Sequence, residues 1–171
     1  MPRIDRTMAV HYNKTQMIWL DNEASKGGKP WLNPYSQTAQ NYLLEVVKEV
    51  KNLGVDAILL DGVQFPDLNS NVATFDGEGS VSRNAVLVNF VNSCVSACSG
   101  TPVICAMKGE AAAGGSSDIY NGSLWSANVS AFAVDLSFLK ADAQRNFPAS
   151  KKVIEMKSSA SNTDSTYILT K

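Results

Sequence analysis

The sequence predicts an α/β fold built from parallel strands, and two observations lead to that prediction. Residues 39–53 carry apolar side chains at steps of three and four, which is the spacing of an amphipathic helix. After a short link, residues 57–60 form an uninterrupted apolar run, which is typical of a strand buried on both faces of a parallel sheet. The same helix–strand order recurs over residues 82–107, so the chain repeats the unit from which such sheets are built.

The first helix has signals at both ends. Pro34 sets a non-helical approach, and Asn33 or Ser36 is the candidate N-cap. Gly54 follows the last apolar residue and ends the helix. We expect the apolar stripe to be buried over the next strand, and its members are Ala39, Tyr42, Leu43, Val46, Val47, Val50 and Leu53.

The second unit contains all three cysteines of the chain. Ser82 is its candidate N-cap and Gly100 its stop, and residues 103–107 are the following strand. An odd number of cysteines in so short a span does not form a disulfide framework, and a metal site on three thiolates would need a further ligand. The single histidine, His11, is distant in sequence. We therefore expect Cys94, Cys98 and Cys105 to be buried structural thiols.

The remaining segments complete the expected domain organisation. Residues 1–35 are an irregular N-terminal segment, residues 36–157 carry the β/α units, and residues 158–171 form a loose C-terminal segment that ends in a short apolar run. Within the middle part, residues 129–139 are a third strand or a short helix, and residues 151–156 are a fourth strand.

Composition excludes several function classes. The chain has 171 residues and is 44% apolar, which is enough for one domain with a core. With 15 basic and 16 acidic residues and no basic stripe, nucleic acid is not expected as a partner. No apolar stretch reaches the ~18–20 residues of a membrane span. Residues 114–117 (GGSS) lack the pattern of a phosphate loop, and no cofactor or metal is predicted.

Acidic residues follow the predicted strands. Asp61 comes directly after the first strand, Glu110 shortly after the second, and Asp135 after the third. Because parallel strands end at one edge, and because catalytic residues of (β/α)8 barrels come from that edge, these acids are candidates for two-carboxylate glycoside hydrolysis. The alternative is structural: Asp-Gly is a turn dipeptide, and Asp61 would then only bond loop amides.

Tryptophans offer a second pair of interpretations. Trp19, Trp31 and Trp125 are possible platforms on which sugar rings stack. In a small domain, tryptophan more often packs in the core or at its margin.

A longer stretch resembles a known family. Residues 31–35 (WLNPY), the link 53–56 (LGVD) and residues 61–66 (DGVQFP) resemble the glycoside hydrolase-like family known as domain of unknown function 4015, a (β/α)8 barrel group. The resemblance covers about residues 9–110. It implies that Asp61 lies at the end of a barrel strand and faces a sugar cleft. Glu110 is the candidate second acid, but it would act from a different backbone position than the second acid of the family.

The resemblance also implies a substrate-binding set, formed by Trp31, Tyr35, Gln64 and Asp21, the last of these in a loop. Two residues depart from the family pattern. Gln64 stands where the family has arginine, which removes a fixed positive charge. Ala106 stands where a second acid is expected on the next strand. These departures keep open a non-catalytic carbohydrate-binding barrel or a purely structural α/β domain.

Length sets a further expectation. A (β/α)8 barrel takes ~250 residues, so the 171 residues predict a partial barrel. Its partners would be a carbohydrate and either the missing half of the barrel or further copies of the chain. The N-terminus lacks the apolar core of a signal peptide, whereas the resemblance implies work outside the cytoplasm or in the cell envelope.

Overall fold

Parallel strands form the main sheet, and they neighbour one another in the order in which they occur along the chain. The computed structural model describes residues 18–20, 30–66, 75–114, 119–136, 139, 146–157 and 167–169. Within these residues the sheet order is β3-β4-β5-β6-β7, with every pair parallel. The strands are β3 (Ile58–Leu60), β4 (Val103–Met107), β5 (Ala131–Asp135), β6 (Val153–Lys157) and β7 (Tyr167–Leu169).

This strand order confirms the α/β fold with parallel strands. A doubly wound sheet reverses its strand order at a switch point, whereas a (β/α)8 barrel keeps sequence order around the ring. The five strands keep sequence order, which is the arrangement of a partial (β/α)8 barrel. The segment at residues 129–139, for which helix and strand were both open, contains strand β5.

A separate two-stranded antiparallel sheet precedes the β/α units. Strand β1 (Ile18–Leu20) pairs with β2 (Pro30–Leu32), and the register places Trp19 opposite Trp31. The chain then enters the first helix through Asn33 to Ser36.

The two long helices begin and end at the residues that the sequence indicates. Helix α1 (Gln37–Asn52) begins at Ser36, whose hydroxyl accepts a hydrogen bond from the Ala39 N–H at 3.4 Å. Gly54 follows with φ +79°, a conformation that glycine adopts without strain. Helix α2 (Arg83–Ala97) begins in the same way at Ser82, which accepts from the Ala85 N–H at 3.2 Å. A third, short helix, α3 (Gly109–Ala112), follows β4 directly.

The core lies between α2 and one face of the sheet. On α2 it includes Leu87, Val91 and Cys94, and the strands contribute Cys105 and Phe132. All three cysteines are free and buried, as the sequence predicts. Burial is the main cause that raises the pKa of the Cys94 and Cys105 thiols to about 12 each, so both are protonated at neutral pH.

Two burial predictions are wrong, and both concern the first β/α unit. Residues 57–60 were expected to be buried on both faces, but Leu59 is 40% exposed. Its strand, β3, is the terminal strand of the described sheet, and Leu59 lies on the face opposite Ile58 and Leu60. In α1 only Ala39 is fully buried and Val46 is exposed, and Leu53, the C-cap residue that follows the helix, is 81% exposed. Helix α1 therefore packs beside α2 with only part of its apolar stripe covered.

None of the helices in the described ranges is both long and apolar enough to cross a membrane.

The contrast between Leu53 and Leu87 gives a direct test of this packing. Leu87→Ala removes a side chain with no exposed area, so we expect it to lower the free energy of unfolding by about 2–5 kcal/mol. Leu53→Ala is the matched control, because its side chain is largely exposed and its loss should cost less than about 0.5 kcal/mol. Urea unfolding followed by circular dichroism measures both. Equal losses in the two variants would contradict the assignment of the core to the α2 side of the sheet.

Candidate functional site

Asp61 lies at the C-terminal edge of the sheet, directly after β3. The residue is exposed, and one of its carboxylate oxygens (Oδ1) accepts a hydrogen bond from the Gly62 N–H at 2.7 Å. Gly62 has φ +66°, so the chain turns here in a conformation that favours glycine. Asp61 therefore stabilises the turn and also presents a carboxylate to solvent at the edge where parallel α/β folds bind ligands.

The register identifies the neighbour of Asp61 on the next strand. Leu60 pairs with Cys105, and continuing that register by one residue places Asp61 beside Ala106. Ala106 pairs in turn with Ala133 on β5. Both alanines are buried. The positions directly across the sheet from Asp61, on β4 and β5, therefore carry methyl groups.

Glu110 and Asp135 lie at the same edge. Glu110 is exposed in the first turn of α3, which starts directly after β4. Asp135 is the last residue of β5 and is partly exposed. Gly109 allows these segments to approach, because a Cβ atom added to it would overlap the backbone oxygen of Asp135. The fold thus places three acids at or shortly after the C-terminal ends of three neighbouring strands.

Tyr35 packs against the loop that follows Asp61. Its ring lies 5.6 Å from the ring of Phe65, measured between centroids, and it is partly buried. The segment around it is fixed by Asn33, whose amide nitrogen donates to the Asp76 carbonyl at 2.9 Å and whose oxygen accepts from the Tyr35 N–H at 3.0 Å. Asn33 is therefore a buried cross-link between two loops, and Ser36 is the helix cap.

Arg83, Phe65, Phe75 and Glu78 form a cluster, and the Phe65 ring of this cluster also packs against Tyr35. The guanidinium of Arg83 lies 5.1 Å from the ring centre of Phe65 and 5.2 Å from that of Phe75, distances at which a cation attracts an aromatic face. Its Nε also donates to Glu78 at 2.7 Å, and the other Glu78 oxygen accepts from the Phe75 N–H at 3.0 Å. The cluster joins the start of α2 to the loop after β3.

Two side chains in or beside this cluster, Glu78 and Tyr35, have shifted pKa values. The hydrogen bond from Arg83 is the largest cause that lowers the pKa of Glu78 below its usual value. Burial is the main cause that raises the pKa of Tyr35, with a smaller contribution from the negative charge of Glu78. At neutral pH Glu78 is therefore charged and the Tyr35 hydroxyl is protonated.

Tyr120 connects two of the strand-end segments. Its hydroxyl oxygen accepts from the Lys108 N–H at 3.3 Å, and the neighbouring Ile119 carbonyl accepts from the Phe65 N–H at 2.9 Å. Only 2% of Tyr120 is exposed. Burial is the main cause that raises its pKa to about 12, and the charge of Asp61 contributes in the same direction. The tyrosine is therefore neutral around pH 7.

The other residues predicted for the site are placed as follows. Gln64 lies in the loop after β3, partly exposed, and Trp31 lies partly buried on β2, four residues before Tyr35. Asp21 and His11 are outside the described residues. Trp125 packs in the core against Phe132, with its indole N–H bonded to the Ala112 carbonyl at 3.0 Å, so the packing interpretation holds for this tryptophan.

A shallow cavity of about 470 Å³ lies at the opposite edge of the sheet. Its walls come from the end of α2 and the start of β4, and Ser96, Ser99 and Ser130 are among the residues that line it. Because it lies at the N-terminal ends of the strands, it is separate from the acids at the C-terminal edge.

Sequence reasoning missed Arg83, Glu78 and Tyr120. Residues 76–80 (DGEGS) look like an ordinary surface loop, and Arg83 looks like an ordinary first-turn residue of a helix. No spacing links Tyr120 to Lys108 or Ile119 to Phe65, because these contacts depend on how the loops fold over the sheet. Of these three residues, only Arg83 has a signal in the sequence: aromatic residues occur near it in the chain, and such residues are weak evidence for a contact with a cation.

The fold and the acids at its edge define the class: an α/β protein of the parallel-barrel type with carboxylates at the C-terminal edge of its sheet. A sequence profile of the family described as "Putative glycosyl hydrolase domain" (domain of unknown function 4015) matches residues 3–109, which is more than half of the chain. The chain belongs to this family, and the resemblance seen in the sequence is confirmed.

One similar solved structure is that of Aspergillus fumigatus Ega3 in complex with galactosamine. The two chains are 18% identical, the TM-score is 0.48, and the similarity covers 84% of this chain and 51% of Ega3. The chain thus spans about half the length of that structure. No curated protein matches the sequence significantly.

Because of the ion pair between Glu78 and Arg83, we expect the free energy of unfolding to depend on pH. Because the folded-state pKa of Glu78 is lowered from its usual value of 4.5, its stabilising effect is present above that value and is lost as the pH falls through the folded pKa. We expect Glu78→Gln to lower the free energy of unfolding by about 0.5–1 kcal/mol near neutral pH. The difference from the wild type should shrink in acid.

Denaturant unfolding at several pH values measures this difference. Glu45→Gln, on the exposed side of α1, is the matched control and should show no comparable pH-dependent difference. A Glu78→Gln variant as stable as the wild type at neutral pH would refute a stabilising role for the pair.

Proposed function

We propose that the protein is a glycoside hydrolase-like domain that acts on a polysaccharide at the C-terminal edge of its sheet, with Asp61 as the principal carboxylate. The observation that carries this proposal is the exposed carboxylate of Asp61 at the carboxyl end of a parallel strand. Membership of the glycosyl hydrolase domain family supports the choice of a carbohydrate as substrate.

Two carboxyl groups divide the chemistry of glycoside hydrolysis. In the proposed reaction Glu110, in its protonated form, donates a proton to the glycosidic oxygen as the bond to the anomeric carbon breaks. Asp61, in its ionised form, attacks that carbon, activates a water molecule, or stabilises the positive charge that develops on the sugar. The exposure of both residues at neighbouring strand ends supports this pairing, since a polysaccharide needs an open edge rather than an enclosed pocket.

Two aromatic and two polar side chains are the proposed sugar contacts. Trp31 and Tyr35 would present ring surface to the apolar faces of sugar residues. The amide of Gln64 and, from the resemblance alone, the carboxylate of Asp21 would bond sugar hydroxyls. Tyr35 supports this role best, because its contact with Phe65 ties it to the loop that Asp61 begins.

A second candidate function is carbohydrate binding without hydrolysis. The observation that favours it is the position of Ala106 beside Asp61, where a carboxylate would complete a pair on adjacent strands. The edge would then hold a glycan through Asp61 and the aromatic residues while lacking the acid that cleaves it.

Substitution of Asp61 tests the first candidate. The longest form of the protein that its gene encodes is incubated with laminarin, xylan and chitosan, and released reducing ends are measured. We expect Asp61→Asn to lower the rate on the hydrolysed polysaccharide by about 10²–10⁴-fold. Asp56→Asn is the matched control: it makes the same change in charge at the exposed opposite end of β3 and should leave the rate unchanged. An unchanged rate for Asp61→Asn would remove its assigned role.

Binding measurements distinguish the second candidate. Retention on the same polysaccharides without release of reducing ends would indicate a binding domain. Trp31→Ala should then weaken retention by about tenfold, or about 1.4 kcal/mol, because the indole would no longer cover the apolar face of a sugar ring. Trp125→Phe is the comparison, since Trp125 is packed in the core. If the protein is not retained on these polysaccharides and does not hydrolyse them, Asp61 is a turn residue in a structural domain.

A further inference from the structure

The dipeptide Ile119–Tyr120 contacts both segments that carry the proposed carboxylates. The Ile119 carbonyl accepts from the N–H of Phe65, four residues after Asp61. The Tyr120 hydroxyl accepts from the N–H of Lys108, two residues before Glu110. One short segment, which we call the bridge (residues 119–120), therefore holds the loop after β3 and the start of α3 at once.

The start of α3 needs such a contact. Helix α3 has only four residues, and its N-cap, Lys108, makes no side-chain capping bond. A helix this short has no independent stability, because nucleation is costly, so tertiary contacts must hold it in place. Two such contacts are the bond from Lys108 to Tyr120 and the close packing of Gly109 against Asp135.

The tyrosine is suited to this role by its rigidity and its charge state. Its ring is almost fully buried, so its hydroxyl is fixed in space. Burial keeps the pKa of the hydroxyl near 12, so the group stays neutral and its oxygen accepts a hydrogen bond over the whole neutral range.

We propose that Tyr120 is a positioning residue that sets the separation between Asp61 and Glu110 by bonding the backbone at the start of α3 while its neighbour bonds the loop after Asp61. This inference rests on the proposed function, which assigns the two carboxylates to one reaction. Tyr120 itself is buried and is not expected to touch the sugar.

Spin labels test the separation independently of activity. Asp61→Cys and Glu110→Cys introduce exposed thiols for labelling, and dipolar broadening in electron paramagnetic resonance reports the distance between the labels. The native thiols are buried and the pKa of each is raised, so they should react slowly. We expect Tyr120→Phe to widen the distance distribution. Tyr42→Phe on α1 also removes one hydroxyl and should leave the distribution unchanged.

Amide hydrogen exchange checks the contact itself. Tyr120→Phe should raise the exchange rate of the Lys108 N–H by about fivefold to tenfold, because the lost bond is worth roughly 1 kcal/mol. The Phe65 N–H, bonded to a backbone carbonyl, should exchange as before. An unchanged distance distribution, or an unchanged Lys108 exchange rate, would overturn the inference.

Kinetics connect the separation to the reaction. On the hydrolysed polysaccharide, Tyr120→Phe should lower kcat by about ten- to a hundredfold while KM changes little, since displaced catalytic groups act on the transition state. A kcat equal to that of the wild type would also overturn the positioning role. If the wild type hydrolyses none of the three polysaccharides, the hydrolytic function fails, and the spin-label result still decides whether Tyr120 sets the separation.

Discussion

Parallel hydrogen bonding between β3, β4 and β5 is the interaction on which the remaining features of the candidate site depend. Every parallel strand ends at the same edge of a sheet, and the register places Leu60 beside Cys105 and Met107 beside Val134. Residues that follow the strands therefore emerge close to one another, although they are far apart in sequence. Helix α2 lies between β3 and β4 in the chain and returns it to the start of β4, so the two strands run in the same direction.

The edge is organised by contacts between loops rather than by the sheet alone. Arg83 holds the loop after β3 to the start of α2 through two aromatic rings, and Asn33 joins the segment before α1 to Asp76. The bridge at residues 119–120 adds backbone contacts to the loop after β3 and to the start of α3. Functional groups on loops are precise only when such supporting contacts restrict them, so this edge has the support that a binding site requires.

Asp61 combines two properties that are usually considered separately. Its hydrogen bond to Gly62 explains why an acid and a glycine follow an apolar strand. The same residue is exposed at the edge where ligands bind in parallel α/β folds. The hydrogen bond to one oxygen leaves the carboxylate able to accept others, because it has two oxygens and several acceptor sites. A hydrolase would need a second carboxylate near Asp61, whereas a binding domain would not. On the adjacent strand, the position beside Asp61 carries the methyl group of Ala106.

The sequence by itself determined the order and the ends of the main elements. Ser36 and Ser82 cap the helices, Gly54 follows the first of them in a left-handed conformation, and the apolar runs form parallel strands. These features depend on local backbone chemistry and on periodicity, so they can be read within a few residues. The placement of acids at one edge was also predictable, because it follows from the parallel direction of the strands.

Only the tertiary structure decided which side chains are covered and which loops meet. The apolar stripe of α1 does not reveal that Leu53 is exposed, because burial depends on the neighbour that a helix receives. The contacts of Arg83 with Phe65 and of Tyr120 with Lys108 join residues 12 or more positions apart through irregular segments. Such segments have no periodicity that a sequence can show, so their contacts are set by the packing of the whole edge.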